Sequence, residues 1–258
     1  MAKTALITGA SSGIGLELAR IHAATGGNLI LVARNKQKLD ELKSELESKH
    51  NVKVVVIGKD LSDMNAASGL YDEVKKLNVN IDYLINNAGY GNYGFFVEND
   101  WQKELNMIQL NIITLTHLNK LFLPNMINQG GGRIMNVAST GAFQPVPLMA
   151  MYAATKAYVL SLSDAVNNEV RSKGVTITAL CPGPTESGFA DAAVMTHTKM
   201  ASKNKYTSSR EVAEYGYKAM LKGMTVAIHG FKNRIMAGAV RFTPRALVVK
   251  MSRSMMEN

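Results

Sequence analysis

Short, continuous apolar runs rich in β-branched residues alternate along this chain with longer stretches whose apolar positions recur every three or four residues. The apolar runs fall at 3–8, 28–33, 52–58, 81–86, 133–138, 175–180 and 225–229. They are continuous rather than alternating, so they predict strands buried on both faces, the condition of a parallel sheet covered by helices. Helical periodicity lies between them, for instance over 13–26, 40–49 and 152–173. The expected fold class is therefore α/β, one domain with a doubly wound, seven-stranded parallel sheet.

Two segments stand outside this alternation. Residues 186–208 form a long polar and small-residue stretch between a strand and a helix, and a loop of that length is expected to be a lid or a binding loop. Residues 231–258 follow the last strand and predict a C-terminal helical extension of the same domain. Within it, 243–257 reads as a helix with Pro244 in the first turn and Leu247, Val248, Met251 and Met255 on one apolar face. Such a helix packs on the body or on another subunit, or lies in a membrane surface with its basic side toward lipid phosphates.

Charge sharpens that picture. The chain carries a net +9, and from Lys199 onward there are twelve Lys/Arg against three Asp/Glu, leaving the first 198 residues neutral. A basic C-terminal quarter implies either a solvated surface or attraction to anionic ligands, acidic lipids or an acidic partner. No nucleic-acid-reading module accompanies the charge, so no nucleic-acid partner is expected. No apolar run approaches the roughly 18 residues of a membrane-spanning helix, and the first residues read as a strand, not a signal peptide. Cys181 is the only cysteine, which excludes an internal disulfide and suits a reducing compartment. A cytoplasmic location is expected, with peripheral membrane contact through the basic helix.

The chemistry is concentrated in two places. Gly9, Gly13 and Gly15, with Ser11, Ser12 and Ile14 between them, follow the first strand and open a helix. Glycines there permit a tight turn and close approach of backbone to phosphates, and the free N–H groups of the helix start hold a pyrophosphate. The spacing is G-x-x-x-G-x-G, distinct from the G-x-G-x-x-G fingerprint. Residues 1–230 are thus expected to be a Rossmann-type dinucleotide-binding and catalytic domain, and 231–258 its basic extension. Arg34 ends the second strand, where an acid would bind the adenosine ribose of NAD; an arginine favours the 2′-phosphate of NADP.

The second group is Tyr152 and Lys156, at i and i+4 on one helical face. An ammonium about 4 Å from a phenol is worth roughly 4 kcal/mol at an effective dielectric of 20. Before desolvation subtracts its share, that is enough to carry a tyrosine from its usual value near 10 toward about 7, where it exchanges protons readily.

Together these motifs resemble the short-chain dehydrogenase/reductase family, and the likeness runs from residue 3 to about 229. It rests on Thr8-Gly9-(x3)-Gly13-Ile14-Gly15, Asn86-Asn87-Ala88-Gly89, Asn111, Ser139, Tyr152-x-x-x-Lys156 and Pro182-Gly183, in that order. The resemblance implies an NADP(H)-dependent oxidoreductase acting between a carbonyl and an alcohol. By the same resemblance, Tyr152 is the general acid or base, Lys156 lowers its pKa and holds the nicotinamide ribose, Ser139 binds the substrate oxygen, and Asn111 positions a relay water. Asp60 and Leu61 contact adenine, Asn87, Ala88 and Gly89 line the ribose side, and Thr185, beside Pro182 and Gly183, orients the nicotinamide amide. No metal is called for. Family members often form dimers or tetramers, so a homo-oligomer is expected.

Substrate choice lies outside these motifs. Tyr90, Tyr93, Phe95, Phe143, Met149, Phe189 and Met195 are the candidate lining of an apolar pocket for a small carbonyl or alcohol substrate. The stretch Tyr90-Gly91-Asn92-Tyr93-Gly94-Phe95-Phe96 departs from the Gly-Ile-Thr-Arg-like segment of carrier-protein fatty-acid reductases, which argues against that activity and leaves acyl substrates open. The rival reading is an NADP-binding sensor or interaction protein of the same fold, which a broken catalytic set would favour. Here the set is complete.

Overall fold

The computed structural model describes residues 2–186 and 206–257. Its main sheet has seven parallel strands in the order β3-β2-β1-β4-β5-β6-β9. These are β1 (Thr4–Thr8), β2 (Asn28–Ala33), β3 (Val54–Gly58), β4 (Tyr83–Asn86), β5 (Gly132–Val137), β6 (Val175–Cys181) and β9 (Val226–Ile228). Two short strands, β7 (Thr185–Glu186) and β8 (Thr207–Ser208), pair separately. The expected doubly wound sheet is present, with strand ends displaced by one or two residues.

The covering layers explain why the strand runs are apolar throughout. Ala5, Ile7, Leu29 and Leu31 point to one face, where α1 (Gly13–Ala24), α2 (Lys36–Lys49) and α7 (Ser209–Leu221) pack. Leu6, Ile30, Leu84 and Ile134 point to the other, against α3 (Ala66–Lys76) and α5 (Leu115–Asn128). Neither face of a central strand reaches water, so both must be apolar.

Not every buried residue is apolar. Asn86 Nδ2, on β4, donates to Asn119 Oδ1 on α5 and to Asn136 Oδ1 on β5, each at 2.9 Å. Asn136 Nδ2 donates to Ser163 Oγ at 3.0 Å, and Ser163 Oγ in turn to Val159 O at 2.7 Å, both on α6 (Ala150–Val170). All four polar residues are at most 4% exposed. This chain of bonds ties α5 and α6 to the sheet, and within it only Asn86 Oδ1 is buried without a partner.

At 109–114 the helix between α4 (Trp101–Ile108) and α5 widens into a π turn. An extra residue in the turn shifts the facing of Asn111, and such bulges gather at working sites. Beyond β9 the chain forms α8 (Phe231–Ala239) and α9 (Arg245–Met256). Here one expectation needs correction. The body-facing side of α9 is Val248, Ser252 and Met256, whereas Leu247 and Met251 remain exposed. Tyr93 Oη donates to Met256 O at 2.9 Å and anchors the end of the helix, so docking follows the i, i+4, i+8 row that reaches Met149 and Tyr93. Pro244 precedes the first turn as its cap. The predicted loop at 186–208 falls mostly outside the described residues.

Replacing Asn136 with alanine removes the acceptor for Asn86 and the donor for Ser163. Asn86 keeps its bond to Asn119 and Ser163 its bond to Val159, so urea unfolding should show a loss of about 1–3 kcal/mol, the worth of two buried hydrogen bonds.

Candidate active site

The cleft opens where the sheet's connections diverge, beyond the carboxyl ends of β1 and β4, as expected for an open α/β sheet. Its cavity of about 500 Å³ is walled by the glycine turn on one side and α6 on the other. Gly9 has φ +67° and Gly13 φ +56°, the left-handed region that disfavours any side chain. A Cβ on Gly15 would lie 2.3 Å from Gly9 O and 2.4 Å from Asn87 Nδ2. That closeness lets Asn87 Nδ2 donate to both Thr8 O and Gly9 O at 3.0 Å. Thr8 Oγ1 completes the stitch by accepting from the Asn87 and Ala88 amides, each at 3.0 Å.

Ser12 caps α1 in extended geometry, yet its side chain makes no capping bond. The start of α1 borders the cleft, which Gly9, Ser11, Ser12, Gly13 and Ile14 line. A pyrophosphate fits that donor set. Gly15 does not reach the cleft; it is the packing glycine that allows α1 to start so close to the β1 turn.

Arg34, at the end of β2, lies on the same cleft with Asp60 and Leu61. Its guanidinium is 77% exposed and stands 3.9 Å from Asp60 Oδ2, a loose pair. Asp60 Oδ1 accepts from the Ser62 amide at 2.9 Å and hydroxyl at 2.7 Å. Asn87, Ala88 and Gly89 continue the wall, followed by Pro182, Gly183 and Thr185.

The structure brings Ser139, Tyr152 and Lys156 together on the opposite wall. Ser139 follows β5 in extended conformation, and its Oγ accepts from the Gly141 amide at 3.0 Å. A further hydrogen bond joins its hydroxyl to Tyr152. Lys156 is 5% exposed, with Nζ donating to Val137 O at 2.8 Å and lying 5.8 Å from the Tyr152 ring centre. Asn111 sits behind this wall. Its Nδ2 donates to Tyr90 O at 3.0 Å and to Thr155 Oγ1 at 3.1 Å, and its Oδ1 accepts from the Tyr90 amide at 3.3 Å. Gly89 separates it from Lys156: a Cβ there would lie 2.9 Å from Asn111 Oδ1 and 3.3 Å from Lys156 Nζ.

The electrostatics differ from the sequence expectation. Burial pushes the Tyr152 phenol up to about 12, against the opposing hydrogen bond from Ser139. Burial also brings the Lys156 ammonium down to about 8. The direction at Tyr152 is thus opposite to the one the neighbouring cation alone would give. Desolvation acts on both groups, and the ammonium is engaged with a carbonyl instead of the phenol oxygen. Tyr152 keeps contact with solvent through the cleft, but the protein packed around it dominates its titration.

Two of the apolar candidates, Tyr90 and Met149, line the cleft. Tyr93 packs behind it against Met149 and Met256. Phe143 belongs to the small core beside Leu115 and Val159, and Phe95 is 50% exposed on the surface, so neither lines the cleft. Phe189 and Met195 lie outside the described residues. Ser252, Met255 and Met256 of α9 are cleft residues that the sequence reading missed. Their only signal was a methionine-rich helix after the last strand.

A family model described as "short chain dehydrogenase" matches residues 3–198. Human very-long-chain 3-oxoacyl-CoA reductase is 30% identical over 92% of this chain and 73% of that protein. The Danio rerio very-long-chain 3-oxoacyl-CoA reductase-B is 34% identical over 70% of this chain, which spans only 59% of that relative. Among solved structures, a short-chain dehydrogenase from Sphingobium yanoikuyae in complex with NADPH superposes with TM-score 0.84 at 30% identity, covering 93% of this chain and 94% of that one. The bulky-bulky ketone specific alcohol dehydrogenase from Comamonas testosteroni gives TM-score 0.80 at 31% identity, with coverages of 93% and 92%.

The lowered Lys156 value has a measurable consequence. Above about pH 8 the folded protein has released this proton, whereas the unfolded chain holds it to the ordinary value of 10.5. The unfolded state binds more protons in that window, so Lys156 makes stability rise with pH there. Thermal melts of the protein without cofactor should show this contribution between pH 8 and 10.5, and Lys156→Met should remove it. Equal slopes for the two proteins would overturn the assignment.

Proposed function

Because the chain belongs to the short-chain dehydrogenase/reductase family, with its oxidoreductase chemistry on C=O and CH–OH groups, we propose that it is an NADP(H)-dependent reductase of an apolar ketone. The observation that carries this reading is the convergence of Ser139, Tyr152 and Lys156 on one cleft with the glycine turn and Arg34. A nicotinamide dinucleotide bound there supplies or accepts the hydride. The amides at the start of α1 hold its pyrophosphate, and Arg34, free to turn from Asp60, takes a 2′-phosphate by charge-assisted hydrogen bonds. The NADPH-bound relative supports that choice.

Ser139 and Tyr152 present adjacent hydroxyls to a substrate carbonyl oxygen. Ser139 stabilises charge as it grows on that oxygen, and Tyr152 Oη delivers the proton. The phenol, raised by burial, keeps its proton through the neutral range and so can act as the acid in reduction. Lys156, on the Val137 carbonyl, is placed to replace that contact with ribose hydroxyls. Asn111, across Gly89, holds the Tyr90 backbone and the start of α6 in register with it.

Val146, Met149, Met255 and Met256 give the substrate end of the cleft an apolar lining. Such a wall accepts hydrocarbon and offers little to a sugar or a small hydroxy acid. The bulky-ketone enzyme and the long-chain oxoacyl relatives point the same way.

Tyr152→Phe should lower kcat by about 10²–10⁴-fold while the dissociation constant for NADPH stays unchanged in fluorescence titration. Retained turnover would defeat the reading. Arg34→Ala should weaken NADPH binding roughly ten- to a hundredfold, the worth of a charge-assisted pair, and leave NADH binding as it was. An unchanged ratio would remove Arg34 from the phosphate site.

A further inference from the structure

The C-terminal segment exposes an unusual density of large apolar side chains. Phe242 is 90% exposed and Phe231 72%, and Ile235, Met236, Leu247 and Met251 are also exposed. Phe231 and Ile235 stand one turn apart on α8. Leu247, Met251 and Met255 occupy successive turns of α9, on the flank of the row that docks on the body. Soluble surfaces scatter such residues singly; a gathered set marks a contact.

Cations surround them. Lys232, Arg234, Arg241, Arg245, Lys250 and Arg253 are all exposed, and between 231 and 257 the only acid is Glu257. Among the described residues, only Arg253 of these six makes an ion pair, with Glu257 at 2.6 Å. A second copy of the chain fits such a face poorly, because a two-fold contact would set its cations against themselves. An anionic bilayer satisfies both halves of the pattern: aromatic and methionine side chains enter the headgroup–acyl boundary while guanidinium and ammonium groups meet lipid phosphates. No helix among the described residues is long and apolar enough to cross a membrane, so the contact lies in the membrane plane.

We propose that α8, α9 and the turn between them form a peripheral binding face for an anionic lipid bilayer. Met255 belongs to both the exposed strip and the cleft lining. On the reading of this protein as a reductase of apolar ketones, the face therefore brings the substrate end of the cleft to the phase in which such substrates dissolve. The binding claim itself is independent of that reading.

The test is co-sedimentation of the full chain with vesicles of phosphatidylcholine alone and of phosphatidylcholine mixed with phosphatidylglycerol. Binding is expected to the mixed vesicles only, weakened by added salt. Phe231→Ser with Phe242→Ser should reduce it about tenfold or more, with melting temperature and turnover unchanged because both rings are solvated. Arg245→Glu with Lys250→Glu should reduce it as well. Failure of the wild-type chain to sediment with anionic vesicles overturns the proposal, as does a double phenylalanine variant that binds equally well. A dimer in light scattering that the phenylalanine variant dissolves, without vesicle binding, would assign the face to a second copy and also overturn it. Sedimentation reads binding alone, so its failure leaves the reaction assignment untouched.

Discussion

The close approach of β1 and β4 at the carboxyl edge of the sheet is the constraint on which the cleft depends. One asparagine amide, that of Asn87, reaches two consecutive carbonyls of the β1 turn, and Thr8 returns the favour to two consecutive amides after β4. There is room for this only because positions 9 and 15 carry no Cβ. With the turn held so tightly, α1 begins beside the end of β1, with no side-chain cap on its first turn, and its start lines the crevice. A side chain at either glycine would displace the helix start or the asparagine, and the phosphate seat would go with them.

On the opposite wall, burial does more than proximity. Tyr152 and Lys156 share a helical face, yet their titration is set by the protein packed around them: the phenol moves up and the ammonium moves down. In a low-dielectric wall both groups favour their neutral forms. A phenol that holds its proton is an acid in waiting, and a buried lysine satisfied by one carbonyl can exchange that contact for another at modest cost. The polar network from Asn86 to Ser163 lies directly behind and keeps α6 in place against β5, so the precision of the wall comes from residues that never touch the cleft.

The C-terminal helix links this site to the exterior. Its docked row supplies Ser252 and Met256 to the cleft, while its flank leaves Leu247 and Met251 in solvent beside the exposed cations Arg245 and Lys250. On the proposed readings, substrate selection and surface attachment meet on one short helix, added after a sheet that is already complete. This is consistent with specificity residing in appended segments while the fold carries the chemistry.

Much of this was legible in the residues. Continuous apolar runs could only be strands covered on both sides, and the glycine turn, Ser139 and the Tyr152–Lys156 pair mark positions whose chemistry is local to a turn or to one helical face. The order of the motifs carried the family because all but Asn111 occur at the end of a strand or the start of a helix that the periodicity located. What remained hidden depends on distances between segments far apart in the chain. The π turn at Asn111, the packing role of Gly15, the surface position of Phe95 and the rotated docking face of α9 follow from tertiary contacts that no period of three or two encodes. The titration of Tyr152 is the clearest instance. Sequence spacing put a cation one turn away and predicted a more acidic phenol before desolvation is counted, whereas the size of that opposing share depends on the fold, because desolvation comes from everything packed around a charge and not from its neighbour alone.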